Sequence, residues 1–165
     1  MTNEIIEYRF GGGETGLIKK LNFIGDVINK NARLSSVRDR ALYITLGVEN
    51  FDFYGQLEKI YSWVANNIRY VRDPENAELI QDADEVIAKG AGDCDDFAIL
   101  IGALLKSIGF QIRLIISGRD AGGWNHIYLH ALVSNEWIPC DPSMQYPLGK
   151  ETDAQYKRYF VVLKN

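Results

Sequence analysis

Apolar residues recur every three or four positions in the first part of the chain and every second position in the last. Leu17, Leu21, Ile24 and Ile28 form one stripe, which predicts an amphipathic helix over residues 15–32. Val37, Ala41, Ile44 and Val48 predict a second helix. Leu57, Ile60, Tyr61 and Val64 predict a third over residues 54–67, with Gln56, Glu58, Lys59 and Asn66 facing outward. Asp73-Pro74 breaks that pattern. A short helical piece at 83–89 leads to the turn Gly90-Ala91-Gly92-Asp93-Cys94. Residues 95–108 then carry apolar side chains on nearly every side, as a helix at the centre of a core does, and Gly109 is placed to close it.

Beyond Gly109 the period changes to two and β-branched and aromatic residues take over. Strands are predicted over residues 111–117, 126–133, 136–140 and 159–163, with a further strand-like run at 5–10. The middle pair is joined by a loop of about two residues, which requires antiparallel pairing. A parallel doubly wound sheet would need a helix between successive strands, and the sequence has no room for one. The expected fold class is therefore α+β, with N-terminal helices and a central Cys-bearing helix packed on a C-terminal antiparallel sheet.

A length of 165 residues with 47% hydrophobic and 24% charged residues suits one domain with a substantial core. We take 1–165 as that domain, with 1–50 a helical extension and 51–165 the functional core. A formal charge of -4 without any basic block argues against phosphate-driven nucleic-acid binding. No apolar run reaches the roughly 18 residues of a membrane helix, and the first residues lack a signal-peptide pattern, so the expected location is the cytoplasm. Expected partners are protein or peptide substrates, with no nucleic acid and no membrane. Two cysteines, Cys94 and Cys140, are too few for a disulfide scaffold.

Cys94 follows a glycine-containing turn and opens the most apolar helix of the chain. Free amides and the helix dipole favour a thiolate there, while Asp93, Asp95 and Asp96 oppose it unless an imidazolium lies nearby. On its own, Cys94 reads first as a small hydrophobe at the start of a core helix. Both histidines of the chain fall in the segment Trp124-Asn125-His126-Ile127-Tyr128-Leu129-His130. On a strand, His126, Tyr128 and His130 share one face and Ile127, Leu129, Ala131 and Val133 the other. A histidine at the start of a strand can serve a cysteine on a helix packed beside it as base and then as acid. Asp141, after Trp137-Ile138-Pro139-Cys140, is a candidate orienting acceptor, or else an ordinary Asp-Pro turn residue.

Together, Gly92-Asp93-Cys94-Asp95-Asp96 with Leu100, Leu104-Leu105 and Gly109, then His126-x-Tyr128, then Trp137-x-x-x-Asp141-Pro142 resemble the transglutaminase-like superfamily, within the papain-like cysteine peptidase fold. The resemblance covers residues 54–143, with the motifs in the family's order. It implies that Cys94 is a nucleophile, His126 a base and acid, and Asp141 the residue that orients His126, with no cofactor and no metal. Residues 62–74, including Trp63, Arg72 and Asp73-Pro74, further resemble small members encoded by phages and prophages. Tyr128 stands where many members carry Trp and His130 where an acidic residue is common, which implies a different substrate side.

His130 is about 13 Å from His126 at strand rise, so the two cannot serve one cysteine. It is expected to be a partly exposed strand residue. Cys140 is expected to point away from Asp141 into the core. A zinc site from Cys94, Cys140, His126 and His130 fails on the same strand spacing. Gly11-Gly12-Gly13-Glu14-Thr15-Gly16 fits G-x-G-x-x-G, but the second strand with its acidic residue is missing, and no Gly-Lys-Ser/Thr or G-x-S-x-G motif occurs. The expected chemistry is thiol-dependent acyl transfer on amides or peptides, with hydrolysis ahead of transamidation. The Cys94 amide and an aromatic such as Trp63 or Tyr70 would stabilise the oxyanion. A non-catalytic phage or bacterial assembly or binding protein that keeps the fold is the alternative. The glycine-rich residues 118–124 are a candidate flap beside His126.

Overall fold

A computed structural model describes residues 9–75, 77–120 and 123–163. The strand-like run at 5–10 lies largely outside them. Five α-helices and six strands follow in the order α1 (Gly13–Ala32), α2 (Ser35–Ile44), α3 (Phe53–Asn67), β1 (Arg69–Tyr70), α4 (Ala83–Lys89), β2 (Ala91–Gly92), α5 (Cys94–Ser107), β3 (Ile112–Gly118), β4 (Trp124–Val133), β5 (Glu136–Cys140) and β6 (Tyr156–Val161). A single 3₁₀ turn, Pro142–Met144, follows β5.

The apolar stripes decide what packs where. Every residue of α5 from Phe97 to Leu105 is buried, because α1, α2, α3 and α4 surround it and β4 passes beneath it. Leu17, Leu21, Ile24 and Ile28 of α1 turn into this core, as do Leu57, Ile60, Tyr61 and Val64 of α3. Helix α2 stops before Val48. Thr45 returns its hydroxyl to the Ala41 carbonyl, and Gly47 takes a left-handed φ of 83°, a combination that ends a helix.

The main sheet has the order β5-β4-β3-β6, and all its pairings are antiparallel. Ile127, Leu129 and Ala131 of β4 face the helices and are fully or almost fully buried. This is an α+β architecture with a helical layer on an antiparallel sheet. A second, two-stranded sheet pairs β1 with β2 in parallel, Tyr70 opposite Gly92. It fixes the chain just ahead of Cys94.

Candidate active site

The turn into α5 is built by backbone needs. A Cβ on Gly92 would lie 2.6 Å from the Cβ of Asp96, so only glycine lets the strand end close on the helix it feeds. Oδ1 of Asp93 accepts the N–H groups of Asp95 at 3.0 Å and Asp96 at 3.3 Å. Oδ2 of Asp96 accepts the Asp93 N–H in return at 3.2 Å, which makes a reciprocal cap. Cys94 occupies the first helical position, where its own N–H has no acceptor within the helix.

His126 stands near the start of β4, beside a register shift. Ser117 pairs with His126 but Gly118 pairs with Trp124. The extra residue, Asn125, bulges the strand next to His126, as bulges do where a side chain is re-aimed. A Cβ on Gly118 would lie 2.3 Å from the Gly123 carbonyl oxygen, so this crossing also needs glycine. Within the candidate flap, residues 121 and 122 lie outside the described residues, while Asp120 accepts the Gly123 N–H at 2.6 Å.

These two elements meet at one cleft, which Cys94, His126 and Ile127 line together. Behind the ring, Nε2 of His126 lies 2.6 Å from Oδ2 of Asp141. Asp141 is 1% exposed and follows β5 directly, so the antiparallel pairing of β4 with β5 carries it to His126. Its other oxygen accepts the Ser143 hydroxyl at 2.7 Å. Tyr128 stacks on the His126 ring with centroids 5.4 Å apart and planes 19° from parallel.

A cleft of about 420 Å³ opens over this point, and Cys94, Asp93, Asp95, His126, Tyr70, Arg72, Lys20 and Glu78 contribute to its lining. Of the two aromatics considered for the oxyanion, Tyr70 lines the cleft, whereas Trp63 packs against the core beneath the Arg40 guanidinium, 5.6 Å from its ring centre. Burial pushes the Cys94 thiol well above the ordinary thiol range, and Asp95 and Asp93 push it further. The Ile127 N–H and Lys20 favour the thiolate. Burial likewise raises Asp93 to about 8, helped by Asp95 and Asp96.

His130 departs from expectation. It is 3% exposed because the segment after the 3₁₀ turn covers the polar face of β4. Its Nε2 lies 2.9 Å from Oε1 of Glu151, the same oxygen that accepts the Tyr128 hydroxyl at 2.8 Å. Arg113 approaches its Nδ1 from the other side at 3.0 Å and is itself sandwiched by Trp137 and Tyr159. Burial lowers the pKa of His130, against the pull of Glu151. Cys140 is fully buried in the core and gives its S–H to the Ile138 carbonyl. Among the described residues, neither His130 nor Cys140 joins a group of converging metal ligands. Among the described residues, Asp93, Cys94 and Asp95 offer ligand atoms within 4.8 Å of one another, and the Lys20 ammonium already meets Asp95 at 2.8 Å.

Four contributors went unnoticed in the sequence. Lys20 and Glu78 reach the cleft from α1 and from the segment before α4, and Ser143 and Thr152 hold Asp141. Ser143 was findable, since a hydroxyl two residues after an aspartate is a common local partner. The other three carry no local signal.

The antiparallel sheet packed against a buried central helix has counterparts among solved structures. Residues 39–142 match the transglutaminase-like superfamily, and the chain belongs to that superfamily, a family of thiol-based enzymes. Among solved structures it is similar to a "putative cysteine protease" from Cytophaga hutchinsonii, at 23% identity and a TM-score of 0.54, over 82% of this chain and 51% of that one. It is also similar to a "putative protease" from Parabacteroides distasonis, at 14% identity and a TM-score of 0.55, over 72% of this chain and 25% of that one. The chain thus spans about half the length of the first and a quarter of the second. These two likenesses concern the fold. A comparison with curated proteins finds no match. No helix among the described residues is long and apolar enough to cross a membrane.

Proposed function

We propose that this chain is a thiol-dependent acyl-transfer enzyme acting on amide or peptide bonds, with Cys94 as nucleophile, His126 as base and acid, and Asp141 as the orienting carboxylate. The observation that carries the reading is the convergence at β4. Cys94 and His126 line the same cleft, and Nε2 of the His126 ring is held by Asp141 at 2.6 Å. Nδ1 is then the ring nitrogen left for the thiol proton.

Because burial and two carboxylates hold the resting thiol protonated, the proton leaves sulfur for His126 as sulfur attacks the carbonyl carbon. The carbonyl electron pair moves to oxygen, where the Cys94 N–H is a donor. Collapse of the tetrahedral species breaks the C–N bond, His126 gives its proton to the leaving amine, and a thioester remains. Water then loses a proton to His126, attacks the thioester, and releases the acid and the thiol. Hydrolysis is preferred over transamidation because water reaches an open cleft and no lining feature marks a channel for an acceptor amine.

The test is incubation with a broad peptide and denatured-protein library, with and without added alkylamine, analysed by mass spectrometry. New termini that vanish in Cys94→Ala support hydrolysis. Amine adducts of the same dependence assign transamidation instead, and no Cys94-dependent product of either kind overturns the enzyme reading. The raised thiol favours one second reading, a binding protein that keeps the cleft without turnover, and the last outcome selects it.

A further inference from the structure

Helix α1 lies outside the stretch that matches the family, residues 39–142, yet it delivers a cation to the thiol's neighbourhood. Nζ of Lys20 lies 2.8 Å from Oδ2 of Asp95 and 2.8 Å from Oε2 of Glu78. The other oxygen of Asp95 faces Sγ of Cys94 at 3.8 Å. Asp95 is 3% exposed, so water does little to screen its charge from the sulfur. A buried carboxylate at this range opposes a developing thiolate, and the closest cation decides how strongly.

We infer that Lys20 is a positioning residue for Cys94: its ammonium pairs with Asp95, offsets the negative charge beside the sulfur, and holds Oδ1 where it accepts the hydrogen bond of the resting thiol. The inference takes its functional sense from the acyl-transfer reading, while its test reads the thiol directly. The titratable groups around the sulfur come from every adjoining element. They are Lys20 from α1, Tyr70 and Arg72 from β1 and the residue pair after it, Glu78 from the segment before α4, Asp93 and Asp95 from the start of α5, and His126 from β4. Lys20 is the cation that touches Asp95, whereas Arg72 is exposed.

The experiment is iodoacetamide labelling of Cys94 in the full chain between pH 5 and 10, followed by intact mass. Wild type, Lys20→Met, Asp95→Asn and the double variant are compared, with thermal melts run in parallel. Lys20→Met is expected to slow labelling about tenfold at every pH in this range, all of it below the raised titration of the thiol. Asp95→Asn and the double variant are expected to label alike within threefold, since removing the carboxylate removes what Lys20 offsets. The double variant buries no unpaired charge, so this arm decides even where Lys20→Met does not fold. An unchanged labelling rate in folded Lys20→Met, or a double variant more than threefold slower than Asp95→Asn, would overturn the role. Failure of the library assay with wild type bears on acyl transfer alone, because labelling requires no substrate.

Discussion

The Thr152 hydroxyl donates to Oδ2 of Asp141 across 3.2 Å, and that same oxygen meets the His126 ring. Thr152 thus steers the carboxylate from the side opposite Ser143. Removing one hydrogen bond to a charged acceptor typically costs about 1.5–3 kcal/mol, and part of that cost falls on the orientation of the His126 ring. Thr152→Val keeps the shape and deletes the donor. It is expected to lower kcat about tenfold with KM little changed, measured on whichever peptide the library assay yields. A Thr152→Ser variant that restores the rate would separate the hydroxyl's role from packing.

Asp141→Asn tests the orienting role itself. The buried site can accommodate an isosteric amide, because the Ser143 and Thr152 hydroxyls can each accept as well as donate. Folding should therefore survive, while the His126 ring loses the charge that stabilises its protonated form. A fall in kcat on the order of 10⁴-fold is expected, by analogy with triads that lose their carboxylate. Full-rate turnover in a folded Asp141→Asn protein would remove Asp141 from the site.

How much of this was legible from residues alone divides along the range of the interactions. Helix α5 was visible because its apolar run has no polar face, and β4 because it alternates without a break. The parallel pair β1 and β2 escaped notice, since two-residue strands leave no periodic trace. Strand β6 begins at Tyr156, earlier than its sequence implies, because this edge strand is largely exposed on both faces and its pattern is blurred. His130 was misjudged because Glu151, which covers it, is 21 residues away. Lys20 was invisible for the same reason: pairing between distant helices has no local signature.

The covered face of β4 gives a stability prediction independent of catalysis. Glu151 is the shared acceptor of the Tyr128 hydroxyl and of His130, and it also pairs with Lys157 at 3.1 Å. Glu151→Ala leaves a 2%-exposed tyrosine without its acceptor, at an expected cost of about 1–3 kcal/mol. Tyr128→Phe should cost about 1 kcal/mol, and the double variant less than the sum of the two, because the unsatisfied hydroxyl is gone. Urea unfolding measures all three. His130→Gln should retain Cys94 labelling at near the wild-type rate, whereas His126→Ala should lose it. The opposite pattern would make His130 the base.

The acidic turn ahead of α5 sets a pH dependence of folding whose sign follows from its raised pKa values. Burial, then Asp95 and Asp96, lift Asp93 from 3.8 to about 8. Burial lifts Asp96 to about 6 against hydrogen bonds from Gln81 and Asp93. A carboxyl that holds its proton more tightly when folded than when unfolded leaves stability intact below the unfolded value, near pH 4. Stability then declines as pH rises toward the folded value, and the full cost is present above it. The decline from Asp93 therefore spans pH 4 to 8, and that from Asp96 pH 4 to 6. Asp93→Asn keeps the helix cap, since an amide oxygen can accept the same two N–H groups, and it removes the larger titration. Urea midpoints at pH 5, 6.5, 8 and 9 should fall less steeply in Asp93→Asn than in wild type, with the variant's advantage greatest at pH 8 and 9. Parallel lines for the two proteins would mean that Asp93 is already ionised in the folded chain at pH 5.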